Sequence, residues 1–249
     1  MHSAITTIQT GLAAVRARIA RAADLSGRDP ASVRLIAVSK AFPVEFVAQA
    51  VVGGQSAFGE NYVQEGVAKM AALDTLLRQG QVGAGAEQGG PLPVVEWHFI
   101  GPIQSNKTKS IAQHFHWVQS VDRWKIAERL AEQRPFEMGS LQVCIQVNVS
   151  GEASKSGVQP SAAVELARRV AGLPQLRLRG LMTVPEPTAD AHALRRQFRM
   201  LRTLCEELAG EGLAVDTLSM GMSDDLEVAI AEGATMVRVG RAIFGDRAT

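Results

Sequence analysis

Short apolar runs alternate with helical patterns along almost the whole chain. Runs that are apolar throughout, separated by helices, are typical of a parallel sheet covered on its faces. The strand-like runs lie at 34–39, 56–59, 95–101, 117–121, 141–150, 178–184, 214–221 and 235–239. Eight such units in 249 residues predict an α/β fold, a single (β/α)8 TIM-type barrel with an extra amino-terminal helix at about 3–23. A doubly wound open sheet is the alternative.

Helical patterns fill several of the gaps between these runs. They lie at 44–52, 63–77, 163–170 and 194–208. The stretch 79–93 is instead rich in glycine and proline and has almost no hydrophobic pattern, which predicts a flexible surface loop. We expect a single barrel domain over residues 1–249, since no internal repeat and no second domain pattern interrupts the series.

Composition and charge exclude several classes of protein. The 26 basic and 25 acidic side chains leave a net charge of +1, which argues against a nucleic-acid backbone or a membrane surface as the main partner. We find no run of about 18 apolar residues and no signal peptide. Cys144, Cys205 and the five histidines form no metal or redox spacing. We therefore expect a cytoplasmic, monomeric protein with no metal site.

Lys40 ends the first apolar run, immediately before the sequence Ala41-Phe42-Pro43. In α/β folds, chemistry is concentrated at the carboxyl ends of the strands. A half-buried ammonium at such a position loses hydration, which lowers its pKa and releases a neutral amine that attacks carbonyl carbons. The alternative is a lysine whose charged end simply reaches solvent from the end of the strand.

The residues after the last two runs suit an anion. Ser219, Met220 and Ser223 lie at or after the end of the seventh run, and Gly240 and Arg241 follow the eighth. In (β/α)8 barrels the loops after strands seven and eight commonly bind phosphate. Backbone N–H groups of Gly240 and Arg241, with a hydroxyl from Ser219 or Ser223, are the donors that we expect. Ser223 as a simple helix cap is the alternative.

An amine and a phosphate-binding site on the same rim would suit a ligand that has an aldehyde and a phosphate group. Pyridoxal 5′-phosphate (PLP) is such a ligand. Lys40 would form the Schiff base, and Arg238 in strand eight, beside strand one in a closed barrel, would reach the pyridine nitrogen. Arginine donates hydrogen bonds and keeps its proton, so the ring nitrogen would stay unprotonated and the cofactor would be a weak electron sink. A cofactor-free barrel in which Lys40 forms an imine with a sugar phosphate is a further alternative.

The chain resembles the pyridoxal phosphate homeostasis proteins, which are single-domain relatives of the barrel half of bacterial alanine racemase. The resemblance extends nearly end to end. It rests on five blocks: AVSK at 37–40, FGEN at 58–61, WHFIGPIQSNK at 97–107, LSMGMSDD at 218–225 and RVG at 238–240. The expected fold is therefore that of the alanine racemase amino-terminal domain.

The resemblance also implies roles for individual residues. Lys40 is expected to be the Schiff-base lysine, Arg238 to face the pyridine nitrogen, and Asn61 to lie close to the cofactor. Ser223 and the backbone after Arg238 are expected to hold the phosphate. Tyr62 stands where the family pattern has a basic residue. Arg241 stands where a small hydroxyl residue is common, so the resemblance predicts backbone contacts to the phosphate at that position and no side-chain hydroxyl contact.

The chemistry of racemisation separates a binding protein from an enzyme. A racemase needs an acid/base group on each face of the substrate carbon. Lys40 serves one face, and in the two-domain racemases a tyrosine of the other domain serves the opposite one. We expect no such domain after the eighth run, and Tyr62 is the only tyrosine.

We therefore predict a protein of intracellular PLP homeostasis without efficient turnover. It would hold PLP as an internal aldimine on Lys40 and supply or buffer it, with PLP-dependent apoenzymes as partners. A PLP-dependent amino-acid racemase is the alternative. We interpret Lys107, Lys109 and Lys155 as solvated charges, with a partner surface or a second phosphate site as alternatives.

Overall fold

The computed structural model describes residues 2–80, 93–151, 156–186, 188 and 190–246, with side chains from residue 7 onward. Within these residues, eight parallel strands close into a barrel in chain order, because the last strand pairs with the first. The strands are β1 (Arg34–Val38), β2 (Ala57–Glu60), β3 (Glu96–Phe99), β4 (Trp117–Val121), β5 (Leu141–Gln146), β6 (Leu176–Met182), β7 (Thr217–Ser219) and β8 (Met236–Val239). The predicted (β/α)8 barrel is confirmed, and the alternative of an open sheet is wrong.

Helices surround the barrel and connect its strands. They are α1 (His2–Leu25), α2 (Val44–Val52), α3 (Val63–Arg78), α4 (Thr108–His114), α5 (Trp124–Gln133), α6 (Pro160–Ala171), α7 (Ala191–Gly210), α8 (Leu226–Ala231) and α9 (Arg241–Phe244). Short 3-10 helices lie at Pro30–Ser32, Ser105–Lys107 and Phe136–Met138. The predicted amino-terminal helix is α1. None of the helices in the described ranges combines the length and hydrophobicity that crossing a membrane requires.

The extra helix α1 packs on the outside of the barrel against α2, α8 and α9. Ile8, Leu12, Val15 and Ile19 form its buried stripe, as expected for apolar residues spaced three or four apart. A Cβ atom added at Gly11 would lie 2.8 Å from the Ile243 carbonyl oxygen, so only glycine allows α1 to approach α9 this closely. The first helix thus supports the chain segment that follows β8.

Side chains alternate between two cores, as the pleat of a barrel requires. Outward-facing strand residues join the helices in the main core, which includes Ala37, Phe58 and Val237. A smaller apolar cluster inside the barrel consists of Ile36, Ala57, Trp117, Cys144, Met182 and Met236. Buried polar side chains on the barrel strands, including His98 on β3 and Gln119 on β4, are also present. The barrel interior is therefore only partly apolar.

Some element boundaries differ from the prediction. The fifth run was expected to extend over 141–150, but β5 ends at Gln146, and Val147 forms an isolated bridge with Val158. The seventh run, 214–221, contains a strand of three residues, and beyond it Gly221 has a φ of 98°, where the chain turns away from the extended conformation. Helices α4 and α5 were not predicted. Most of the predicted loop at 79–93 lies outside the described residues.

Candidate functional site

A cleft of about 620 Å³ opens where β1, β2 and β8 end. It lies at the carboxyl ends of the strands, where the barrel fold places its chemistry. Six residues that were predicted from the sequence line it: Lys40, Asn61, Ser223, Arg238, Gly240 and Arg241. Val38, Phe42 and Ile100 add an apolar wall that the sequence analysis did not predict. The cleft thus combines the cationic side chains of Lys40, Arg238 and Arg241 with an apolar wall.

The turn that carries Lys40 is held by hydrogen bonds on both sides of this residue. Ser39 donates from Oγ to Glu60 Oε1 at 2.7 Å, and its carbonyl oxygen accepts from Lys69 Nζ at 2.7 Å. On the other side, the Ala41 N–H donates to Glu65 Oε1 at 2.6 Å. Ala41 has a φ of 62°, a left-handed conformation that is unfavourable for alanine. The surrounding contacts therefore impose the direction in which β1 ends.

Lys69 on α3 is the centre of this network. Its side chain is 4% exposed and its Nζ lies 2.6 Å from Glu60 Oε1 and 2.9 Å from Glu65 Oε1. Burial raises the pKa of Glu60, while the charge and hydrogen bond of Lys69 and the hydrogen bond of Ser39 oppose that rise. This set of contacts was not predicted from the sequence. The pair Glu65 and Lys69, spaced four apart on a helix, was visible in the sequence, but its contact with Glu60 depends on the fold.

Asn61 lies at the end of β2 and offers an unused acceptor to the cleft. Its Oδ1 is buried and has no hydrogen-bond partner among the described residues. A Cβ atom added at Gly101 would lie 2.3 Å from the Asn61 carbonyl oxygen, so the chain at residue 101 must be glycine to pack there. An unsatisfied buried oxygen costs about 1–3 kcal/mol. A ligand that donates a hydrogen bond in the cleft would remove this cost.

Arg238 is buried at the inner end of the cleft. Its guanidinium donates to Ser219 Oγ from one nitrogen and to the Thr183 carbonyl oxygen from another, both at 2.7 Å. Burial lowers the pKa of Arg238 to about 10, so it stays charged at neutral pH. In the β1–β8 register Arg238 lies opposite Ile36. The prediction that strand eight brings this arginine beside strand one is confirmed.

Ser219 and Met220 do not line the cleft, in contrast to the expectation from the sequence. The Ser219 hydroxyl accepts from Arg238 and donates to Gln119 Oε1 at 2.6 Å, so it supports the arginine and does not face an anion. The Met220 side chain is fully buried in the main core, and its N–H donates to the Met236 carbonyl oxygen. The sequence located both residues at the rim but did not reveal which way they face.

The two acidic residues of the loop after β7 are both engaged in contacts within the protein, although Asp224 lines the cleft. Asp225 is turned into the loop, where its Oδ1 accepts from the Met222 N–H, and burial raises the pKa of Asp225. Asp224 forms an exposed ion pair with Arg241 at 2.6 Å. This pairing engages the Arg241 side chain, the residue that departs from the family pattern. The Ser223 hydroxyl remains at the cleft, and its carbonyl oxygen accepts from Arg18 at 2.8 Å.

The segment after β8 presents backbone donors on the same side of the cleft. Helix α9 begins at Arg241. The N–H groups of Ile243 and Phe244 donate to the Gly240 carbonyl oxygen, which leaves the N–H groups of Arg241 and Ala242 as the donors at the start of the helix. Asp225, not Ser223, precedes α8, and no side chain caps that helix. Ser223 is therefore not the helix cap that we considered as the alternative. Its hydroxyl and the backbone after Gly240 form a set of donors suited to a phosphate group.

The remaining predicted residues lie elsewhere. Tyr62 directly precedes α3, is 59% exposed and does not line the cleft. Lys107 and Lys109 follow β3, and neither residue lines the cleft. Lys155 is outside the described residues. Nowhere in the described ranges do three or more His, Cys, Asp or Glu side chains form a group that would hold a metal ion.

Sequence comparisons assign the chain to a family. The model of the alanine racemase amino-terminal domain matches residues 11–248. The pyridoxal phosphate homeostasis protein of Pseudomonas aeruginosa is 55% identical over 243 residues, covering 98% of this chain and 97% of the relative. That of Escherichia coli K12 is 49% identical, covering 96% of this chain and 97% of the relative. The chain belongs to the pyridoxal phosphate homeostasis protein family. The predicted resemblance is thus confirmed.

Solved structures agree with this assignment. PipY of Synechococcus elongatus, described with PLP bound, is 35% identical to this family member and superimposes with a TM-score of 0.78, covering 96% of this chain and all of PipY. Alanine racemase of Clostridium difficile is 15% identical with a TM-score of 0.70, and the match covers 98% of this chain and 58% of the racemase. The second similarity shows the fold alone, and it confirms the predicted racemase-like barrel.

Proposed function

We propose that this protein binds PLP in the cleft at the carboxyl end of its barrel and serves PLP homeostasis by holding and supplying the cofactor. The observation that carries the proposal is that Lys40 and Arg238 line one cleft, with the donors of the two last loops beside them. PLP sites combine such a lysine with a polar partner for the ring nitrogen. Relatives that cover nearly the whole chain carry the name of this function.

The residues of the cleft fit each part of PLP. When bound, the cofactor supplies an aldehyde that condenses with an amine and a ring that withdraws electrons. The Lys40 amine would hold the aldehyde carbon, and the remaining N–H groups of Arg238 would donate to the ring nitrogen. The Ser223 hydroxyl and the backbone N–H groups after Gly240 hold the phosphate, and the free Asn61 oxygen accepts a hydrogen bond nearby.

The same residues favour holding the cofactor over catalysis with it. Arg238 keeps its proton at neutral pH, because its pKa is about 10. A donor of this kind leaves the ring nitrogen unprotonated, so the ring withdraws electrons weakly. Tyr62, the only tyrosine of the chain, is exposed outside the cleft. It is therefore not available as a second acid/base group beside Lys40 within the chain.

The proposal extends to partners and location. We expect a cytoplasmic monomer that passes PLP to PLP-dependent apoenzymes. Both cysteines, Cys144 and Cys205, are buried free thiols, which fits a reducing compartment. Binding to the folded state alone stabilises a protein by about 2.7 kcal/mol when the free ligand exceeds its Kd 100-fold. The stability of this protein would therefore follow the supply of free PLP.

A titration of the purified protein with PLP tests the proposal. We expect saturable binding of one PLP per chain with a new near-visible absorption band, and a rise in Tm of roughly 5–10 °C at 100-fold excess over Kd. The Lys40→Ala variant should lose the band, whereas Lys107→Ala, a change on the same rim outside the cleft, should keep it. Wild-type protein that gains no band with PLP would refute the proposal and favour the cofactor-free alternative.

A second assay separates a carrier from a racemase. The PLP-loaded protein is incubated with single L-amino acids and the loss of optical rotation is followed. We expect no racemisation at the rates of ordinary enzymes, which begin at roughly 1 per second. Turnover above that rate would show that the cleft works as a racemase active site.

A further inference from the structure

A continuous chain of hydrogen bonds runs through the inside of the barrel. It begins at Arg238, beside the cleft, and ends at Glu96, toward the opposite end of the barrel. Arg238 donates to Ser219 Oγ at 2.7 Å, and Ser219 Oγ donates to Gln119 Oε1 at 2.6 Å. Gln119 Nε2 then lies 2.9 Å from His98 Nδ1, and His98 Nε2 lies 2.7 Å from Glu96 Oε1. We call these five residues the interior chain. It links β8, β7, β4 and β3 across the barrel.

The direction of every bond in the interior chain follows from Arg238. A guanidinium only donates, so Ser219 accepts from it and gives its single hydroxyl proton to Gln119. The amide oxygen of Gln119 therefore faces Ser219, and its NH2 group faces His98. This arrangement makes Nδ1 of His98 an acceptor and leaves its proton on Nε2, directed at the Glu96 carboxylate. Burial lowers the pKa of His98, in agreement with a neutral ring.

Arg238 is a buried charge without a salt bridge to any described residue, so it depends on its hydrogen bonds to Ser219 Oγ and to the Thr183 carbonyl oxygen and on the more distant charge of Asp225. Hydrogen bonds that point the same way polarise one another, which strengthens each of them in a low-dielectric interior. The chain ends on Glu96, which also forms an ion pair with Arg34 at the amino end of the barrel. The negative end of the chain therefore lies at a partly exposed carboxylate, and the positive end lies in the cleft.

We propose that His98 and Gln119 are positioning residues that orient Arg238 toward the ligand in the cleft. This inference rests on the proposed function, since the ligand is PLP. Ser219 can hold its proton toward Gln119 only while the Gln119 amide keeps its orientation, and His98 is the acceptor that fixes the amide. Loss of that acceptor frees the amide to rotate, and the Arg238 guanidinium is then oriented on one side only, by its hydrogen bond to the Thr183 carbonyl oxygen.

The test compares His98→Leu, which removes the acceptor, with His98→Asn, whose side-chain oxygen takes a place close to that of Nδ1. Ser219→Ala is a smaller change that interrupts the interior chain next to Arg238. Leu130→Ala removes a fully buried side chain of α5 in the main core, away from the interior chain, and so reports on lost stability alone. For each variant we measure the Kd for PLP, the absorption maximum of the bound cofactor and the Tm of the ligand-free protein.

We expect His98→Leu and Ser219→Ala to raise the Kd about tenfold or more, since bonds to charged groups carry at least that factor. Both should shift the absorption maximum, because the partner of the ring nitrogen changes. His98→Asn should recover most of the affinity. Leu130→Ala should lower the Tm with little change in Kd or absorption maximum.

Two results would overturn the inference. One is a wild-type Kd and absorption maximum in His98→Leu, whatever the effect of Ser219→Ala. The other is a rise in Kd that follows the fall in Tm equally in all variants, Leu130→Ala included. These results differ from those expected if the proposed function itself is wrong, because in that case the wild-type protein binds no PLP.

Discussion

Replacement of Lys69 by methionine tests whether the network beside Lys40 supports the fold. Lys69→Met keeps most of the side-chain volume and removes the charge that contacts Glu60 and Glu65. Glu60 has a side chain that is 0% exposed, and its Oε2 already has no hydrogen-bond partner among the described residues. The variant therefore leaves a buried carboxyl group without its cationic partner.

The expected cost is large for a single substitution. Removing one partner of a buried ion pair costs about 3–5 kcal/mol, since the other charge stays desolvated. In a chain of this size, 1 kcal/mol corresponds to roughly 2–4 °C in Tm. The Tm of Lys69→Met should therefore fall by roughly 6–20 °C. The affinity for PLP should fall as well, because Lys69 also binds the carbonyl oxygen of Ser39, next to Lys40.

The cost depends on pH in a defined direction. Burial already raises the pKa of Glu60, and the variant removes the lysine that opposes this rise, so the pKa rises further. A carboxyl group with a raised pKa in the folded state binds a proton that the unfolded chain releases above its usual pKa of about 4.3. The free energy of unfolding therefore falls as the pH rises from the pKa of Glu60 in the unfolded chain toward its higher pKa in the folded state. The deficit of Lys69→Met should thus be larger at pH 8 than at pH 5.

Urea denaturation at pH 5 and pH 8 measures these effects. Lys125→Met, an exposed lysine on α5, is the matched control and should stay within about 0.5 kcal/mol of wild type. The double variant Glu60→Gln with Lys69→Met should recover part of the loss, because both charges are then absent. A deficit of Lys69→Met below about 1 kcal/mol at pH 8, or one that grows toward pH 5, would refute this reasoning.

Other substitutions and reagents test separate parts of the structure. Arg238→Lys keeps the charge but loses the planar set of donors, so the Kd for PLP should rise about tenfold or more in an absorbance titration; an unchanged Kd would contradict the role of Arg238. Gly101→Ala should destabilise the fold by several kcal/mol in urea, roughly the cost of overpacking, because its Cβ would lie 2.3 Å from a backbone oxygen. The control Gly210→Ala, which meets no atom within 4 Å at the end of α7, should be neutral or stabilising by about 0.5–1 kcal/mol. Cys144 and Cys205 should react with a thiol reagent only after unfolding, since burial raises the pKa of both thiols, that of Cys205 to about 11; rapid reaction of the native protein would contradict their burial.

The sequence predicted the barrel because its main signal is local. Strands buried on both faces are apolar throughout, so each run was visible without knowledge of its neighbours. The barrel order then placed Lys40 and Arg238 on the same rim, since closure makes the first and last strands adjacent. Helix α5 was missed although its buried face, Ile126, Ala127, Leu130 and Ala131, has the regular spacing of an amphipathic helix.

The interior of the barrel was not predicted because its contacts join residues that are far apart in the chain. Ser219 and Gln119 are separated by 100 residues and their bond depends on how each strand is rotated. A clue was nevertheless present. Polar residues stand two apart in otherwise apolar strands, as in Glu96 with His98, and this spacing directs both side chains to one face. The Ser219 hydroxyl was assigned to an anion because the sequence does not reveal that Arg238 competes for it.

Borohydride reduction followed by peptide mapping tests the central claim most directly. Borohydride reduces the bond between an amine and the aldehyde of PLP, and it thereby marks the residue that held the cofactor. The wild-type protein loaded with PLP should carry one reduced pyridoxyl group per chain, on the peptide that contains Lys40. A label found on another lysine, such as Lys69 or Lys107, while Lys40 remains unmodified would contradict the assignment of the cleft as the PLP site.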